Sequence, residues 1–142
     1  MIETNRSVVY PHQLDHMGHM NVQWYTAKFD EGTWHFLSQL GITSAYIREN
    51  QKGMAALEQR VKYKAEVTAG DLILIKTQPL EMSDKVVRFI HHMYNAETGQ
   101  EVANCENIGV HFDRNSRKSC PFPEPLRENW LQLTSACVED SS

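Results

Sequence analysis

Hydrophobic residues between positions 22 and 40 recur at a helical interval. Tyr25, Phe29, Gly32, Phe36 and Leu40 fall three or four apart and stripe one face of a helix over Val22–Leu40. Asn21 stands where an N-cap belongs, and Gly41 where helices commonly end in a left-handed turn. From Met54 the period changes to two. Leu57, Gln59, Val61 and Tyr63 alternate with Glu58, Arg60, Lys62 and Lys64, which predicts a strand over Met54–Ala65 with the first set buried. Ala69-Gly70-Asp71, Ser83-Asp84 and Ala96-Glu97-Thr98-Gly99 read as turns separating strands over 72–82, 85–95 and 100–112. Turns this short predict an antiparallel meander. Arg6–Tyr10 is a β-branched segment ended by Pro11, and Thr43–Lys52 predicts a second short helix closed by Gly53. Three prolines at 121, 123 and 125 exclude regular structure until a small helix over Leu126–Leu133, followed by a polar, frayed tail. One helix beside four or five strands is an α+β arrangement, and only the 22–40 helix is long enough to cover the apolar face of the sheet.

The 142 residues suit one domain, read here as residues 1–133 with a polar tail at 134–142. Apolar residues make up 41% and charged residues 23%, as in an ordinary globular protein. A net charge of -4 supplies no basic field, so nucleic acid and anionic membranes are not expected partners. No apolar run approaches the ~20 residues of a membrane span, and the N-terminus lacks the pattern of a signal peptide. Cys105, Cys120 and Cys137 share no metal or redox spacing, so reduced thiols and a cytoplasmic location are expected.

Candidate chemistry concentrates just before the long helix, in Asp15-His16-Met17-Gly18-His19-Met20-Asn21. A loop carboxylate there meets a helix end whose first N–H groups lack internal partners and which carries roughly half a positive charge. That pairing suits attack on a carbonyl, with Gly18 supplying a positive φ or a close backbone approach. Each residue also has a structural reading. Asp15 can cap a turn, His19 can hold the loop by bonding a carbonyl, and Asn21 can serve only as a cap. Trp24, Tyr25 and Trp34 can be core. Gln59, on the expected buried parity, needs a polar partner or reaches the site. His12, Asp15, His16 and His19 also allow a zinc esterase as an alternative, although their spacing follows no metal pattern, and no metal or other cofactor is expected.

The run D-x-M-G-H-x-N-x-x-x-Y entering the helix, carried by Asp15, Met17, Gly18, His19, Asn21 and Tyr25, resembles the hotdog-fold thioesterases of the 4-hydroxybenzoyl-CoA thioesterase group. Phe29-Asp30-Glu31, Leu40-Gly41, Tyr63, Gly70-Asp71, Gly99, Asp113 and Pro121-Phe122-Pro123 extend the resemblance over roughly residues 6–125. Members often carry a second acid two residues before the catalytic one, where this chain has Gln13. The resemblance implies an antiparallel sheet wrapped around one central helix, and hydrolysis of an acyl-CoA to acid and CoA. It implies that Asp15 attacks the thioester or activates water, and that the Val22 backbone N–H holds the oxyanion. It further implies a homodimer or homotetramer with each site shared between chains. Within the group, the wording DHMGHMNVQWY resembles the branch that releases glycine betaine from betainyl-CoA in carnitine breakdown. For that branch Trp24 and Tyr25 are candidate faces for the quaternary ammonium, with Asp30 or Glu31 adding charge complementarity. A non-catalytic acyl-binding or scaffold protein of the same fold is the alternative. Lys62, Lys64, Arg88, Arg114, Arg117 and Lys118 are available to CoA phosphates, but none carries a phosphate-loop signature.

Overall fold

The long helix α1 covers Val22–Leu40, the span its apolar stripe predicts. The Asn21 side chain accepts from Gln23 N, and Gly41 closes the helix at φ 100° with its N–H on Leu37 O and Ser38 O. Tyr25, Phe29, Phe36, Leu37 and Leu40 are buried against the sheet. The computed structural model describes residues 1–141, with side chains through Cys137. Strands β1 (Ile2–Val8), β2 (Lys52–Tyr63), β3 (Leu72–Met82), β4 (Val86–Asn95) and β5 (Glu101–Asp113) form one antiparallel sheet around α1. The short helix α2 (Ser44–Asn50) follows α1, and α3 (Glu124–Ser141) ends the described chain. The expected α+β architecture, a sheet wrapped around a central helix, is therefore present.

The sheet order is β1-β3-β4-β5-β2, so the expected meander holds only for β3-β4-β5. β2 pairs with β5 rather than with its sequence neighbour β3. Residues 64–71 connect the two sides by crossing the entrance of α1. Lys64 N and Ala65 N donate to Val102 O, Met20 N donates to Val67 O, and Gly70 N donates to Val9 O. Three strand spacings are about 14 Å, well within the roughly 27 Å that such a segment can reach.

Three boundaries and one burial pattern also differ from expectation. β1 begins at Ile2 because polar residues pair with β3 there, and the inward Thr4 belongs to a buried polar chain rather than to an apolar stripe. α2 stops at Asn50 with Gln51 in the left-handed region, while Gly53 enters β2 beneath the Phe112 ring. The expected burial of Leu57, Gln59 and Tyr63 fails, since all three are exposed, Leu57 by 60% and Tyr63 by 50%, and Val61 is only partly buried. β2 is an edge strand, and a bulge between Ala56 and Glu58 shifts its register. Finally, α3 starts at Glu124 and runs through most of the expected tail. Pro125 is compatible because a helix's first N–H groups are unpaired anyway. Residue 142 lies outside the described residues.

The core has two parts. One joins Tyr25 and Phe29 to Ile73, Ile75, Met93 and Cys105, below the entrance of α1. The other joins Phe36 and Leu40 to Val87, Phe89, Phe122 and Trp130 at the far end. Between them Thr4, Thr77, His91 and Thr33 form a hydrogen-bonded chain at 2.8, 2.6 and 2.8 Å.

Candidate active site

Leu14 and Met20 bridge as a miniature antiparallel pair, which folds residues 15–19 into a closed loop at the helix entrance. Asp15 N donates to His19 O at 2.8 Å, and Gly18 N donates to Asp15 O at 3.1 Å. Gly18 sits at φ 81°, and a Cβ there would meet nothing within 4 Å. The turn's backbone conformation, rather than close packing, therefore requires glycine. Gln13 braces the loop from below. Its Oε1 accepts from Tyr10 N, and its backbone O accepts from Asn21 N.

The Asp15 carboxylate is held through one oxygen. Oδ1 accepts from Met17 N at 2.8 Å and His19 N at 3.4 Å. Oδ2 has no hydrogen-bond partner among the described residues. The turn-capping reading of Asp15 is thus met by Oδ1, and the other carboxylate oxygen is left uncommitted. At the start of α1, Gln23 N is taken by the Asn21 side chain and Trp24 N by Asn21 O. The Val22 N–H has no acceptor among the described residues, and Val22 and Asp15 line the same cleft of about 400 Å³.

Met17, His19, Tyr25, Tyr63, Lys64 and Glu66 also line that cleft. His19 Nε2 lies 3.1 Å from Glu66 Oε2, a partner on the crossing segment that sequence reading did not supply. The Lys64 Nζ is 3.3 Å from Glu101, which also holds His92 at 2.9 Å. Tyr25 contributes a buried phenol that donates to Ala65 O at 3.4 Å and meets Tyr63 edge-on. Burial pushes its pKa up, and the neighbouring Tyr63, Glu66 and Asp15 add to that. A tyrosine held in its protonated form can donate but not act as a base.

Not every candidate gathers here. Asn21 acts as the helix cap, as its structural reading holds. Trp24 packs against the core and stands edge-on to His12, outside the cleft. Gln59 lines a second pocket of about 300 Å³, between the outer face of α1 and strands β2 and β5. Its Nε2 donates to Asn107 Oδ1 at 3.2 Å. Asp30, Trp34 and Asn107 share that pocket. Asp30 and Trp34 share one face of α1, but only the tertiary fold brings Gln59 of β2 and Asn107 of β5 to them. Among the described residues, no three His, Cys, Asp or Glu side chains are placed to hold one metal.

Asp15, with one uncommitted carboxylate oxygen, and Val22, with an unpaired N–H, therefore line one cleft at the entrance of α1. The thioesterase-like superfamily model matches residues 9–130, nearly the whole chain. The chain belongs to the thioesterase-like superfamily. Among its relatives, the betainyl-CoA thioesterase of Pseudomonas aeruginosa is 25% identical over 86% of this chain and 77% of that protein. The L-carnitine dehydrogenase/betainyl-CoA thioesterase of Rhizobium meliloti is 26% identical over 84% of this chain. This chain spans only 25% of that longer relative's length. In structure, a Staphylococcus aureus protein solved in complex with CoA superposes with a TM-score of 0.87 at 18% identity. That match covers 95% of this chain and 87% of the other, and it shows the shared hotdog fold.

Proposed function

We propose that this superfamily member hydrolyses acyl-CoA thioesters to free acid and CoA, using Asp15 and the entrance of α1. The observation that supports the proposal is that Asp15, with an uncommitted Oδ2, and Val22, with an unpaired N–H, line one cleft. Asp15 adds to the thioester carbon directly, or takes the proton of the water that adds. Either route develops charge on the carbonyl oxygen, where the Val22 N–H stabilises it by ~3 kcal/mol. The C–S bond then breaks, and CoA leaves as an easily expelled thiolate that gains a proton. Direct attack adds a second step, in which water opens the acyl–Asp15 anhydride. Gly18 and His19 hold the loop geometry, with His19 anchored by Glu66.

The working unit is a homodimer formed through β2. Of the two sheet edges, β1 lies against α1, where Lys28 Nζ donates to Val8 O and Ser7 Oγ, and Asn5 Nδ2 donates to Lys28 O. β2 is unpaired on one side along its whole length and exposes Leu57 and Tyr63, which is a hazard in a monomer. Antiparallel pairing of two β2 strands about their centres lays the Tyr63 end of one chain against the Gly53 end of the other. The Asp15 cleft of one chain, lined by Tyr63, then adjoins the partner's pocket, lined by Gly53 and Met54.

Betainyl-CoA is the acyl donor we favour, from the names of the relatives and the helix-entrance wording. A cytoplasmic location is the compartment we favour, as it supplies a CoA thioester pool. Free-thiol release from a panel of acyl-CoAs tests the reading. Turnover of betainyl-CoA or another short acyl-CoA is expected, and no release from any thioester contradicts it.

A further inference from the structure

The pocket between α1, β2 and β5 has an unbalanced set of polar atoms. Its walls are largely apolar, with the rings of Trp34, Phe89 and Phe112. Thr33 lines it, but its hydroxyl proton is already committed. Oγ1 donates to Phe29 O at 3.2 Å and lies 2.8 Å from His91 Nε2. If His91 carries its proton on Nε2, that proton goes to Thr33, whose own goes to Phe29 O. If His91 carries it on Nδ1, Thr77 receives it and the Thr33 proton turns to Nε2. In neither tautomer does Thr33 offer a donor to the pocket.

The amides are oriented as well. Cys105 O can only accept, so the bond of 3.0 Å from Asn107 Nδ2 fixes which way the Asn107 amide points. Asn107 Oδ1 then receives Gln59 Nε2, which turns Gln59 Oε1 away as an uncommitted acceptor. Asp30 adds a carboxylate that has no hydrogen-bond or ion-pair partner among the described residues. Arg114 is the one cationic side chain in the lining, and it reaches toward Ile47 O at 3.5 Å. It follows Asp113, which pairs with Lys52, whereas Asn107 pairs with Gln59. Along the ladder that separation is on the order of 20 Å, and no ion pair joins Arg114 to Asp30 among the described residues.

We propose that this pocket is a subsite for a compact quaternary ammonium group, with Asp30 as counter-charge and the negative end of the Gln59 carbonyl dipole turned to the cation. The aromatic walls supply faces to which such a cation is attracted, and N-methyl groups need no hydrogen-bond acceptor of their own. This moves cation recognition away from Trp24 and Tyr25, which the fold commits to the core and to the Asp15 cleft. The proposal rests on the thioesterase reading, in that the ammonium is the far end of an acyl group delivered from the partner's Asp15 cleft.

The test compares kcat/KM for betainyl-CoA with that for its uncharged isostere 3,3-dimethylbutyryl-CoA, using the purified full chain. The wild type is expected to prefer betainyl-CoA tenfold or more, and Asp30→Asn to lower that ratio by tenfold. Gln59→Leu is expected to lower it several-fold. Equal rates in the wild type, or an Asp30→Asn ratio matching wild type, overturn the subsite while leaving thioester hydrolysis standing. If no acyl-CoA is cleaved, the thioesterase reading fails instead, and titration with tetramethylammonium chloride decides the subsite. A saturable shift of the Trp34 indole N–H resonance that Asp30→Asn abolishes supports it, and absence of that shift in the wild type overturns it.

Discussion

At the scale of residues, burial decides what each polar group can do. His91 is fully buried, between Phe29 and Phe89, and both ring nitrogens are bonded to threonine hydroxyls. Burial, with some help from His92, pulls its pKa down from 6.5 to about 3. The unfolded chain therefore binds a proton that the folded chain refuses between about pH 6.5 and 3. Stability contributed by neutral His91 is complete above that window and declines as pH falls through it, by up to about 1.4 kcal/mol per unit. Urea midpoints measured at pH 7 and pH 5 should fall less in His91→Gln than in wild type. Equal falls would remove His91 as the cause. At the candidate site, Asp15, Gly18, Asn21 and Val22 were legible because loop, cap and first helical N–H are neighbours in sequence. Asp30 was legible as an acid one to two turns into the helix, whereas Glu66 and Asn107 were not, because the crossing segment and the β5 ladder bring them in from elsewhere.

At the scale of elements, legibility followed the strength of the end signals. α1 carries an asparagine cap, an unbroken apolar stripe and a terminal glycine, and both of its predicted ends hold. Gly41 does more than adopt φ 100°. A Cβ there would sit 2.8 Å from Leu126 Cδ2 and 2.9 Å from Asn129 Nδ2, where α3 caps Leu40 O. Gly41→Ala should therefore destabilise the fold by more than about 1 kcal/mol, through backbone strain and displacement of α3. A denaturant midpoint unchanged from wild type would show that α3 yields without cost. β2 misled because alternation reports which faces differ, not which face is covered. Its bulge and edge position leave Leu57 in the open despite the correct period. α3 misled for a different reason, since prolines read as breakers are harmless within a first turn.

At the scale of the whole molecule, the strand order was the least legible feature. Short turns fixed β3, β4 and β5 as a meander, but the 64–71 connection is equally long enough to reach a neighbour or to cross the helix end. Curvature of the sheet around α1 selects the crossing, and that crossing delivers Lys64 and Glu66 to the Asp15 cleft. It also leaves β2 as the open edge, which is the basis for the dimer. Light scattering should give the mass of two chains or a multiple of it, and Leu57→Lys on the exposed edge should shift the protein toward monomer with loss of turnover. A fully active monomer at assay concentration would contradict the shared site. The central claim is that Asp15 does the chemistry while the core holds the fold without it. The direct measurement is free-thiol release from betainyl-CoA by wild type and Asp15→Asn, with thermal unfolding recorded on both. The account predicts a fall of ~10²-fold or more in kcat at nearly unchanged Tm, and Asp15→Asn turnover within a few-fold of wild type at the same stability would contradict it.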